Sequence, residues 1–113
     1  MDITEILDRI KRLEFHQKLL LQLIKDSSYP FYEYILRQTL SEEEVSRIMK
    51  TCERLSKEFQ KQKAEGFVHF HPLYKDFCES LAPRLEAEEI MEALRRQGLY
   101  VALMTELEKY KLN

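Results

Sequence analysis

The chain has little that would bend it: 2 glycines and 3 prolines stand among 113 residues. A β-sandwich or barrel needs a turn signal about every ten residues to reverse its strands, so this scarcity argues against all-β folds and for long helices. There are 2 cysteines, too few for a disulfide framework. Cys52 and Cys78 both fall at apolar helical positions, which predicts buried, reduced thiols. No sign of charge dominates, since 18 basic residues face 20 acidic ones. The balance also holds locally, with five of each sign in residues 1–28 and six of each in 41–65. A nucleic-acid binder gathers Lys and Arg into a stripe that displaces counterions from phosphates, and no such stripe is present. Long apolar runs are missing too. Leu19-Leu20-Leu21, continued past Gln22 by Leu23 and Ile24, is far short of the ~20 residues that span a bilayer. The opening segment MDITEILDRI carries acids where a secretory signal has a basic start and an apolar stretch, so a cytoplasmic location is expected.

What is present is a mix of 44% hydrophobic and 34% charged residues, the composition of one folded domain over residues 1–113. Asp2 caps a first helix, with Glu5 three residues on, and apolar residues recur at Ile3, Ile6, Ile10, Leu13, Leu20 and Ile24 in a 3-4-3 rhythm. Gln17 fills the vacant position, and Leu7, Leu21 and Leu23 widen the stripe. The helix is predicted from about residue 2 to 26 and nearly 40 Å long at 1.5 Å per residue. Ser27-Ser28-Tyr29-Pro30 ends it, and Pro30 opens a short aromatic second helix, Phe31 to about Gln38. Ser41 and Glu44 form a capping box for a third, with Leu40 stapled to Val45 and the apolar seam running through Val45, Ile48, Cys52, Leu55 and Phe59 to a C′ glycine at Gly66. After the connector Phe67–His71, Pro72 begins a fourth helix bearing Leu73, Phe77, Cys78 and Leu81. From about Arg84 to Gln97 the apolar set is Leu85, Ile90, Met91 and Leu94. Beyond Gly98, a bend or a break, come Leu99, Val101, Leu103, Met104, Leu107 and Tyr110.

His69-x-His71 has the most site-like spacing, because alternate residues of an extended segment point the same way and imidazole nitrogens can share a divalent metal. Two ligands do not hold a metal, however, and Asp76, Cys78 and His16 offer no diagnostic spacing for a third. A small-molecule or metal site near His69, His71 and Cys78 is therefore the rival reading, and ordinary structural histidines with no cofactor the preferred one. A cysteine nucleophile needs a base and a polar setting that neither Cys52 nor Cys78 has in the sequence. Glu86, Glu88, Glu89 and Glu92 suit a solvated, dipole-compatible helix start better than acid–base chemistry. Residues 89–107 read as helix-turn-helix, with Gly98 in the turn and Met104 and Leu107 as the packing face. A recognition helix from Val101 to Tyr110 would nonetheless present Glu106 and Glu108 with Lys109 alone to answer them, which repels phosphate. A DNA-associated regulator is thus disfavoured. Tyr29, Phe31, Tyr32 and Tyr34, with Phe67, Phe70 and Tyr74, could line a groove, but plugging the end of a bundle is the simpler use.

The first helix is longer than the domain it serves, and each leucine-sized side chain taken from water is worth about 1.5–3 kcal/mol. A second copy of the chain is the expected cover, along Ile3, Ile6, Ile10, Leu13, Gln17, Leu20 and Ile24. Gln17 would be a polar layer that sets alignment, as in coiled coils. A homo-oligomer follows, a trimer ahead of a dimer, and the expected role is a non-enzymatic interaction or regulatory module whose protein partner the sequence does not name.

Three further marks are S-E-E-E at Ser41 to Glu44, F-H-P at Phe70 to Pro72 and L-R-R-Q-G-L-Y at Leu94 to Tyr100. With the long first helix, they make the whole chain resemble the YhaI-like family of small uncharacterised bacterial proteins. That resemblance implies a multihelical subunit in an intertwined trimer and assigns no activity and no catalytic residue.

Overall fold

The computed structural model describes residues 1–25 and 28–111. Among them the chain is all-helical: α1 (Ile3–Ile24), α2 (Pro30–Gln38), α3 (Glu42–Ala64), α4 (His71–Ser80), α5 (Ala87–Arg96) and α6 (Val101–Leu107), closed by a 3-10 turn over Glu108–Tyr110. The predicted all-α class with a long N-terminal helix is what the chain adopts. Asp2 caps α1 by accepting the Glu5 N–H at 2.8 Å. The helix is 22 residues long, about 33 Å, somewhat short of the span expected; Asp26 and Ser27, placed at its predicted end, lie outside the described residues.

Local chemistry sets most of the remaining boundaries. The capping box of α3 is complete, with the Glu44 N–H donating to Ser41 Oγ at 3.1 Å and the Ser41 N–H to Glu44 Oε1 at 3.0 Å. At its other end the Phe67 N–H reaches the Gln62 carbonyl (2.9 Å) and the Gly66 N–H that of Lys63 (3.0 Å), with Gly66 at φ 93°, the paired bonds of a Schellman stop. The same pair recurs at Gly98, φ 82°, where Leu99 bonds to Leu94 and Gly98 to Arg95. Gly98 therefore breaks the last helical stretch in two. Other starts differ from expectation. α4 opens at His71, one residue before Pro72, so His71 is helical. The fifth helix begins at Ala87 and not at Arg84, because the Leu85 N–H bonds to the Ala82 carbonyl at 2.9 Å and spends residues 82–85 on a turn. Leu81, assigned to the fourth helix, is the extended residue that follows it.

Helices α2 to α6 share one core. Phe31, Cys52, Leu55, Phe77, Ile90, Met91, Leu94, Leu103, Met104 and Leu107 are fully buried in it. Met104 and Leu107 are thus the packing face of α6, as the sequence indicates. Contacts between distant parts of the chain tie the helix ends together. Gln97 Oε1 accepts the backbone N–H groups of Phe31 (2.8 Å) and Tyr32 (3.1 Å), satisfying first-turn donors of α2 that have no partner within their helix. Tyr34 Oη accepts the Glu86 N–H at 3.2 Å, and Tyr110 Oη the Phe70 N–H at 2.9 Å. Arg84 holds both oxygens of Glu44 at 2.6 Å.

The marks that carry the family resemblance are all such joints: Ser41 and Glu44 cap α3, Phe70 and Pro72 launch α4, and Gln97 and Gly98 cap α2 and end α5.

Two outcomes follow. Gln97→Ala orphans two amide donors and should lower stability in denaturant titration by about 1–3 kcal/mol, while Gln97→Glu, which keeps the acceptor, retains most of it. The Ser41 N–H and the Arg84 guanidinium hold the Glu44 carboxyl below its ordinary value of 4.5, and the Arg54 fork does the same for Asp76 relative to 3.8. The folded state therefore binds these protons less readily than the unfolded one. Their stabilisation is complete above those ordinary values and is lost as pH falls through the lower folded ones. Melting temperature should drop on acidification below about pH 4.5, less steeply in Arg84→Ala.

Candidate functional site

The histidine pair does not form the arrangement its spacing suggested. His69 lies in the connector and His71 is the first residue of α4, so the extended alternation that would aim both rings one way is broken between them. The His71 ring instead packs against Tyr74 (5.9 Å between centroids) and, edge-on, against Tyr110 (5.8 Å). No group of three or more His, Cys, Asp or Glu side chains able to hold a metal ion occurs among the described residues. Cys52 is buried on α3, where desolvation pushes its thiol up to about 12. Cys78 is half-buried, less than the sequence implied, and burial raises its thiol as well. Neither thiol is poised as a nucleophile, which needs a depressed value.

The aromatic residues divide rather than line one groove. Phe31 and Tyr34 enter the core, Tyr29 and Tyr32 stack in solvent with rings 5.7 Å apart, Phe67 is exposed and Phe70 packs edge-on against Phe59 at 4.8 Å. The hollow along α3 beside Glu42, Ser46, Arg47, Lys50 and Arg54 is bounded by that helix alone, which leaves it too shallow to enclose a ligand. The helix-turn-helix reading meets the acidic surface foreseen for it. Glu108 is bound to Arg95 at 2.6 Å and Glu106 to Lys109 at 3.1 Å, so the α6 end presents paired charges, not a free basic face.

The feature left unexplained by packing is α1. None of its residues is buried. Its neighbour α2 runs back along it and ends beside the middle of the helix, where Gln17 Nε2 donates to the Leu36 carbonyl at 3.4 Å and Glu14, Lys18 and Leu21 face Leu36, Arg37 and Thr39. Leu21 and Ile24 are half-covered on that side. Gln17, expected as a polar layer between copies, spends its amide on its own chain. Before residue 14 the stripe stands open among the described residues: Ile3 is 75% exposed, Ile6 42%, Ile10 45% and Leu13 64%. Leu20 is 55% exposed. The projection shows in the overall dimensions, 61 × 29 × 25 Å with a radius of gyration of 17.4 Å, against about 13 Å for a compact chain of this length. Sequence periodicity found this stripe. What it missed is Phe15 and Leu19, which at 59% and 49% exposure lie off the seven-residue rhythm.

Native protein treated with a thiol-specific maleimide at neutral pH should label slowly at Cys78 and not at Cys52, with Cys52 reacting once denaturant is added; mass spectrometry of the labelled peptides reads this directly.

A family model described as a protein of unknown function, DUF1878, matches residues 1–111.

Proposed function

The chain belongs to the DUF1878 family, whose description carries no activity, and we propose that it is a non-enzymatic, self-assembling interaction module with α1 as its assembling element. The observation that carries the reading is the absence of any buried residue along the 22 residues of α1. Ile3, Ile6, Ile10, Leu13 and Leu20 stand in water, and covering each is worth about 1.5–3 kcal/mol. An isolated copy forgoes that energy. Monomeric soluble proteins rarely tolerate so continuous an apolar surface, and a second copy brings the same need to the same solution. The resemblance to the YhaI-like proteins, with the intertwined trimer it implies, supports an assembly of three ahead of one of two, in the bacterial cytoplasm. A regulatory or adaptor role would then use surfaces that assembly brings together.

Multi-angle light scattering tests the reading. Wild-type protein at micromolar concentration should show a multiple of the monomer mass, and Ile10→Asp, which places a carboxylate in the stripe, should shift toward monomer with unchanged helical signal. A monomeric wild type would end it.

A further inference from the structure

We draw no further inference here: the strongest candidate, the exposed apolar patch of Phe15, Leu19 and Leu23 on the side of α1 away from α2, carries nothing because nothing in the structure shows what covers it.

Discussion

The constraint that organises this molecule is a mismatch of lengths. Helix α1 runs for 22 residues, and among the described residues its second half lies along the 9 residues of α2. Backbone hydrogen bonding and the Asp2 cap are enough to extend the helix beyond its support, because a helix needs no neighbour to satisfy its own amides. Apolar side chains on the unsupported turns do need one. The chain thus reaches a secondary structure that is complete and a tertiary structure that is not, and the assembly reading grows from that difference.

The body behaves in the opposite way. From α2 to the closing turn, large side chains are buried and the helix ends are tied by groups from far along the chain. Gln97 serves the start of α2, Tyr34 that of α5, and Tyr110 the connector before α4. These bonds lie at half-buried positions, where an unpaired donor is costly and a paired one selects a single arrangement of helices. Thr39 and Tyr100 sit in the left-handed region, and neither is a glycine that would adopt it freely. Leu40, bonded back to Ile35 at 3.0 Å, and the Tyr100 hydroxyl, donating to Glu53 at 3.2 Å, hold those turns. The groups that looked chemically distinctive are absorbed into this framework. His71 packs among tyrosine rings, and burial makes both thiols harder to ionise.

Much of the helical layout was legible along the chain because its signals are local. The Ser41–Glu44 box, the Pro30 start, the Gly66 stop and the seam from Val45 to Phe59 each depend on residues within a few positions of one another. The boundaries that moved did so for equally local but weaker reasons. A turn at Ala82–Leu85 competes with the helix predicted there, and His71 joins the helix that Pro72 opens. The stripe from Ile3 to Ile24 was visible as a rhythm. Its second edge, at Phe15 and Leu19, was not, since residues off the repeat read as scattered apolar positions until the fold shows that the opposite side is taken.

By itself the amino-acid order determined the helices, their caps and the presence of an apolar stripe on the first of them, because 3.6-residue periodicity and first-turn hydrogen bonding act over one or two turns. Only the tertiary structure decided which part of that stripe is covered, that Gln97 reaches α2 and that Tyr34 and Tyr110 tie down the starts of α5 and α4. Each of these depends on where distant segments meet, and that is set by burial summed over the whole core, not by any residue's neighbours in the chain.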